Sequence, residues 1–224
     1  MPTKKVFQFT VIALFGMCLS AWAEPLPRQV PPAVPHWADL SADTSAKLRA
    51  EGINAGMYER LIQGEVVTER RSVPEGKSGV HLATFGTISG SVDKLWDVVE
   101  SCGRSSPILP YLKSCTILEP DHFLPPNQRW EQLKIDLRMV FFSFNTLLVN
   151  EMTYEAPNYV RWKQVRGIAK LSEGYLRIIS IAPSTQIVVY NALVDPGSLI
   201  PEFIKEWAVK NTLPDLIAVL RDHV

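Results

Sequence analysis

The sequence predicts an α+β domain built on an antiparallel sheet, and three observations lead to this prediction. Apolar stretches between residues 113 and 195 have the length and alternation of β-strands, and turn-forming residues separate them. The connections between consecutive strands are too short for parallel crossovers, so the strands pair antiparallel. An amphipathic helix begins near Ser198 or Leu199 and closes the chain, and two short helices are expected after the second strand.

The N-terminus has the pattern of a secretory signal peptide. Lys4 and Lys5 precede an apolar run from Val6 to Leu19, and a small-residue cleavage site ends at Ala23. An uncleaved membrane anchor is the alternative, but a bilayer span needs roughly 20 apolar residues and this run is shorter. We therefore expect residues 1–23 to be removed and the protein to be periplasmic or secreted.

The charge balance argues against a nucleic-acid partner. Removal of residues 1–23 leaves 21 basic and 23 acidic side chains. A protein that neutralises phosphates needs an excess of positive charge, which this chain does not have.

Two segments come before the predicted domain of residues 64–224. Residues 24–38 contain five prolines and are predicted to be an extended linker. Residues 39–63 have a weak helical pattern. Gly52 and Gly56 each cost about 1 kcal/mol in a helix interior, so one helix and two shorter helices both fit the pattern.

The domain is predicted to open with a β-hairpin, strands 66–68 and 80–88, followed by a helix. Ser91 can cap this helix, whose apolar residues Val92, Leu95, Trp96 and Val99 fall on one face. Further strands are predicted near 113–119, 128–138, 142–155, 158–166, 171–182 and 185–195.

Alternation along these strands indicates a sheet with one dry and one wet face. Leu133, Ile135 and Leu137 alternate with Gln132, Lys134 and Asp136. By the same reasoning Val160 and Trp162 point inward, whereas Glu151, Arg161 and Arg177 are expected to point outward.

The terminal helix is predicted to cross the dry face without filling it. Its first apolar stripe includes Phe203, Ile204 and Trp207, and Pro214 is expected to kink it. A helix is about 10 Å wide, and a curved sheet of six or more strands encloses more space than that. The surplus predicts an internal apolar cavity of the size that binds small molecules.

Several segments resemble the START-like superfamily, in particular its polyketide cyclase/dehydrase and coenzyme Q-binding groups. The resemblance covers about residues 64–224 and depends on the order and spacing of its parts. The matching segments are Gly64–Val67, Ile88–Val99, Ile108–Cys115, Val160–Trp162 before Gly167, Gly174–Leu176, Val194–Pro201 and Leu213–Pro214.

The resemblance implies a helix-grip fold, in which a curved antiparallel sheet wraps around a long C-terminal helix and encloses a ligand. Aromatic residues, including Trp130, are better candidates for lining the cavity than the polar residues of the strands are. The full set of expected cavity-lining residues is Trp96, Leu109, Leu133, Ile135, Val160, Trp162, Phe203, Ile204 and Trp207.

The sequence contains no strong catalytic or metal-binding motif. The four histidines, His36, His81, His122 and His223, are scattered without metal-ligand spacing, so we expect neither a metal nor a cofactor. In an oxidising compartment Cys102 and Cys115 are a disulfide candidate, and two free buried thiols are the alternative.

Three functions fit this sequence. The leading hypothesis is an exported carrier for an apolar small molecule, such as a lipid, a quinone or a sterol-like compound, that makes transient membrane contact. The second is a polyketide cyclase- or aromatase-like enzyme that uses polar cavity residues, for which Glu151, Arg161, Arg177, Tyr175 and Asn191 are raw material. The third is a cell-envelope interaction module without a ligand.

Overall fold

Eight antiparallel strands form a single curved sheet. In chain order the elements are a 3-10 turn at Trp37–Asp39, α1 (Ala42–Ala50), α2 (Ala55–Ile62), β1 (Val67–Arg70), β2 (Val80–Ser89), α3 (Val92–Glu100), β3 (Leu112–Leu118), β4 (Gln128–Met139), β5 (Phe142–Glu155), β6 (Tyr159–Arg166), β7 (Leu171–Ala182), β8 (Thr185–Asp195) and α4 (215–223). The spatial strand order is β1-β2-β8-β7-β6-β5-β4-β3.

The computed structural model describes residues 34–102, 112–139, 142–197 and 215–224, and the side chains of 137–144 are outside this description. The predicted signal peptide, most of the proline-rich linker, the second short helix and the first part of the C-terminal helix with Pro214 all lie outside the described residues. The same is true of Leu109, Phe203, Ile204 and Trp207.

The connection from β2 to β3 determines the architecture. Strands β3 to β8 run as a meander, and β8 then pairs with β2 along ten residues, from Val80 opposite Val194 to Ser89 opposite Thr185. The chain must therefore travel from β2 to the far edge of the sheet, and α3 lies within that connection. Ser91 begins α3 by accepting a hydrogen bond from the Lys94 backbone N–H, as predicted.

We call the face of the sheet that packs against α3 and α4 the inner face. Its buried centre holds Ile88, Val188, Leu176 and Val160, and the helices contribute Leu95, Trp96, Leu216, Ile217 and Leu220. Each large apolar side chain buried here contributes roughly 1.5–3 kcal/mol. Two hydrogen bonds fix the end of α4, because Arg221 donates to the carbonyls of Thr87 (2.8 Å) and Gly64 (3.0 Å).

The opposite, outer face is covered by the N-terminal helices over β1, β2, β8 and β7. Leu48, Met57 and Tyr58 pack there in a second apolar cluster with strand residues such as Phe85 and Val189. The segment forms two helices rather than one, because Gly52 turns the chain between them with a φ of +86°.

One acidic side chain anchors these helices to the sheet. Glu51, which caps the C-terminus of α1, accepts a hydrogen bond from the Tyr175 hydroxyl (2.7 Å) and lies 2.7 Å from Arg177 Nε. Residues 39–63 therefore pack against the domain and are part of its outer core.

Candidate functional site

An aromatic platform lies on the inner face. Trp162 of β6 is opposite Gly174 of β7 and stacks on Tyr190 of β8, with ring centroids 5.0 Å apart. The indole can lie flat only because residue 174 has no side chain, since a Cβ atom there would overlap Trp162 and the Asn191 carbonyl. Gly174 thus provides the space that the Trp162 indole occupies.

Tyr190 lies deep in the domain but is not fully packed. Burial raises the pKa of its hydroxyl to about 12. The side chain nevertheless keeps partial exposure, and its hydroxyl has no hydrogen-bond partner among the described residues. Tyr190 is therefore only partly covered in the described structure.

Helix α3 places a second aromatic residue over the same face. Trp96 is buried, and its ring meets Tyr154 of β5 edge to face at a centroid distance of 6.2 Å. Met152 of β5 packs nearby and remains half-buried. These side chains extend the apolar surface from the centre of the sheet towards β4.

A polar cluster adjoins this surface on β4 and β5. Arg129 donates through Nε to Glu131 Oε1 (2.7 Å), and the Tyr154 hydroxyl donates to the same oxygen at 2.6 Å. Arg129 Nη2 lies 2.9 Å from the Tyr154 hydroxyl and also donates to the Glu100 carbonyl at the end of α3. Burial, and then the Glu131 carboxylate, raise the pKa of Tyr154 well above its usual value.

A disulfide bond ties the end of α3 to the edge of the sheet. Cys102 follows α3, Cys115 lies on β3, and their Cα atoms are 5.3 Å apart. Glu131 Oε2 approaches the Cys115 sulfur to 3.6 Å. The three residues are close enough together to hold a metal ion, but sulfurs bonded to each other are not the thiolate ligands that metals require.

Next to the polar cluster, three side chains form a row across the inner face. Glu131 on β4 pairs with Asn150 on β5, and Asn150 pairs with Gln164 on β6. The side-chain oxygens of Asn150 and Gln164 are buried and accept no hydrogen bond from the residues that the structure describes. We call Glu131, Asn150 and Gln164 the acceptor row.

The structure brings some of the predicted site residues together. Val160 and Trp162 are buried on the inner face, Trp96 reaches it from α3, and Leu133 and Ile135 lie on the β4 section of that face, half-buried. The positions of Leu109, Phe203, Ile204 and Trp207 are not described.

The structure corrects the expectation that Trp130 lines the cavity. It lies opposite Glu151 on the outer face and donates to the Glu151 carboxylate at 3.3 Å. His122 covers its ring edge-on at 5.5 Å, and Arg166 stacks over it at 5.0 Å. Trp130 is therefore buried under a surface loop and does not face the inner side, whereas Glu151 points outward as predicted.

The sequence reasoning missed Arg129, Glu131, Asn150, Tyr154 and Gln164. The signal was present, because the dry-face alternation seen at Leu133 and Ile135 continues backwards to positions 131 and 129. Charged residues are rare on a dry face, so alternation alone does not predict that positions 129 and 131 point inward.

The antiparallel sheet with helices against its inner face is the START-like fold. The chain belongs to the family described as polyketide cyclase / dehydrase and lipid transport, whose sequence profile matches residues 88–221. No curated protein sequence matches the chain.

Solved structures share the fold at low sequence identity. The Zhui aromatase/cyclase from a Streptomyces species matches with a TM-score of 0.52 and 17% identity, over 64% of this chain and 92% of that one. A START superfamily protein from Mycobacterium smegmatis gives 0.51 and 18%, over 64% and 96%. A STAR-related lipid transfer protein from Xanthomonas axonopodis gives 0.57 and 18%, over 70% and 92%.

These three names combine lipid transfer and ring-forming chemistry, so the fold alone does not separate binding from catalysis. In the described part of the chain, no helix has the length and apolar character needed to cross a membrane.

Proposed function

We propose that the protein is an exported carrier that holds one apolar small molecule, such as a lipid, quinone or sterol-like compound, between the inner face and the C-terminal helix. The observation that carries the proposal is the incomplete coverage of Tyr190 and Met152 on the inner face. Both side chains lie within the domain, yet the described residues leave part of each uncovered. Family membership supports the same function.

The energetics suit a carrier that must release its cargo. Burying about 400 Å² of apolar ligand surface gains roughly 10 kcal/mol. Loss of translational and rotational freedom on association costs about 4–15 kcal/mol. The resulting affinity is moderate and needs no covalent or ionic attachment.

A cyclase-like enzyme is the second candidate, and the cluster of Arg129, Glu131 and Tyr154 favours it. Three polar side chains meet on the inner face, as an enzyme would require. Their arrangement is less suited to proton transfer near neutral pH. The Glu131 charge is paired with Arg129, and the Tyr154 pKa is moved further from neutrality rather than towards it. We therefore rank binding above catalysis.

Export is part of the proposal and depends on residues 1–23. Their charged, apolar and small-residue regions are those of a cleavable signal. Intact mass analysis of protein from a periplasmic or secreted fraction should give a chain that begins at Glu24. A full-length chain retained in the membrane would contradict this part of the proposal.

Fluorescence titration tests the binding function directly. We expect saturable one-to-one binding of dehydroergosterol, a fluorescent sterol. Met152→Trp fills the inner face and should weaken binding by about tenfold or more, which corresponds to about 1.4 kcal/mol. Thr153→Trp is the matched control, because the neighbouring residue of the same strand points to the outer face.

Two results would overturn the binding function. The first is that dehydroergosterol does not bind to the wild-type protein. The second is that Met152→Trp binds as well as the wild type does, which would place the bound probe away from the inner face.

A further inference from the structure

We propose that the molecule bound on the inner face carries hydroxyl or other hydrogen-bond-donor groups, and that Glu131, Asn150 and Gln164 accept those hydrogen bonds. This inference rests on the proposed binding function and adds to it the chemical class of the ligand: a neutral, largely apolar molecule with a donor group. It depends on the acceptor row, which neither the fold nor the family membership explains.

The row is a continuous feature of the sheet. Its members occupy successive strands at directly paired positions, Glu131 with Asn150 and Asn150 with Gln164. Neighbouring strands are about 4.8 Å apart. A single small ligand lying across the strands could therefore contact all three side chains.

Two of the three side chains offer an oxygen that lacks a donor among the described residues. Asn150 Oδ1 and Gln164 Oε1 are buried, and within the described part of the chain neither accepts a hydrogen bond. Glu131 Oε1 accepts hydrogen bonds from Arg129 and Tyr154, and Oε2 lies 3.6 Å from the Cys115 sulfur. That sulfur belongs to the disulfide and has no proton to donate. Glu131 and Asn150 are each only 5% exposed.

The orientation of Gln164 is fixed by the protein. Its amide nitrogen donates to the Ala169 carbonyl at 2.8 Å, so its oxygen must be the atom left without a partner. An unpaired buried acceptor is costly, and native proteins hold few of them. Two such acceptors in one row, Asn150 Oδ1 and Gln164 Oε1, are the basis for the inference that a donor on the ligand completes them when the site is filled.

The same row disfavours an acidic head group. An anionic carboxylate or phosphate would bring only acceptors to oxygens that need donors, next to the charge of Glu131. A hydroxyl provides the missing proton without adding charge. A site built to bind a hydroxyl discriminates strongly against an analogue that lacks it, because its own polar groups are then left unpaired.

Three naphthalene probes test the inference by tryptophan-quenching and calorimetric titration of the full mature chain. They are 2-naphthol, its methyl ether 2-methoxynaphthalene, and 2-naphthoate. We expect 2-naphthol to bind about tenfold or more tighter than the ether, and 2-naphthoate to bind no better than the ether. Equal affinity for naphthol and the ether, or tightest binding of the naphthoate, would overturn the inference.

Substitutions in the acceptor row test whether those side chains cause the preference for naphthol over its ether. Asn150→Leu removes the central acceptor with little change of volume and should reduce the preference for naphthol over the ether to within about threefold. Gln164→Leu should lower the same preference, and it replaces Asn150→Leu in the test if that variant does not fold. Asn145→Leu is the matched control, because it makes the same change at an exposed outer-face position of the same strand.

The outcomes separate this inference from the binding function on which it rests. If all three probes bind equally well, the binding function stands and the donor requirement falls. If none of the three naphthalene probes binds, and dehydroergosterol also fails to bind, both fall together. If Asn145→Leu reduces the preference as much as Asn150→Leu does, the acceptor row is not the source of the preference.

Discussion

Ile217 of α4 packs directly onto Gly86 of β2, and its Cγ2 atom occupies the space where a side chain at residue 86 would begin. Ile217 is fully buried, and Gly86 lies in the middle of the longest unbroken stretch of pairing between β2 and β8. This contact seats the end of the C-terminal helix on the sheet. A side chain at residue 86 would therefore collide with the helix.

Gly86→Val should destabilise the protein by about 1–3 kcal/mol, because the added side chain overlaps Ile217 and must push the helix away. Urea denaturation followed by circular dichroism measures the change. Gly56→Ala is the control, since residue 56 is exposed in α2 and has only the Asn54 side chain near its Cβ position. The control should be neutral or stabilising by up to about 1 kcal/mol. An unchanged denaturation midpoint for Gly86→Val would contradict the observed seating of the helix.

The hydroxyl of Tyr154 should contribute measurably to stability. Tyr154→Phe removes the hydrogen bond to the Glu131 carboxylate and leaves that buried group with one donor fewer. We expect a loss of about 1.5–3 kcal/mol, as is typical of hydrogen bonds to charged groups. Tyr159→Phe is the matched control, because the Tyr159 hydroxyl makes no hydrogen bond in the described structure. Equal effects of the two substitutions would show that the Tyr154 hydroxyl adds nothing specific.

Reduction of the disulfide between Cys102 and Cys115 should lower the free energy of unfolding by about 3 kcal/mol, as expected for a loop of this length. The bond closes a sequence separation of 13 residues. Denaturation with and without reductant measures the loss, and the Cys102→Ser, Cys115→Ser double variant should match the reduced protein. Two thiols that react with iodoacetamide in the native exported protein would show instead that the bond does not form.

Stability should fall as the pH rises above 10. Burial raises the pKa of Tyr58 and of Tyr190 from the ordinary value of 10 to about 12. The unfolded chain therefore loses these protons first, and between pH 10 and about 12 it binds fewer protons than the native state, so deprotonation favours unfolding. Below pH 10 the contribution is fully present. Tyrosinate absorbance across an alkaline titration measures the ionisation.

The control for the alkaline prediction is Tyr190→Phe. The native variant should lose one late-titrating phenol while the unfolded variant titrates at the ordinary pKa. If all tyrosines of the native protein ionise near pH 10, the buried surroundings assigned to Tyr190 are wrong.

Much of the fold could be predicted because alternation and turn residues are local signals. The predicted strand 80–88 corresponds to Val80–Ser89, and 185–195 corresponds to Thr185–Asp195. The inward orientation of Trp162 followed from alternation alone. By contrast, the pairing of β2 with β8 depends on contacts far apart in sequence, and it could be expected only from the resemblance to START-like proteins.

The polar part of the site was harder to predict for a physical reason. Arg129 and Glu131 are stable on a dry face only because each neutralises the other and Tyr154 supplies a further hydrogen bond. Those partners come from different strands, so no local pattern reveals them. Trp130 was expected to line the cavity because it is large and aromatic. A loop around His122 instead buries it on the outer face.

Native mass spectrometry of protein purified gently from the exported fraction tests the central claim most directly. We expect one non-covalently bound molecule per chain, largely apolar, bearing at least one hydroxyl or similar donor, and released when the protein is denatured. A spectrum of ligand-free protein alone, together with failure to take up dehydroergosterol, would contradict both the binding function and the donor requirement.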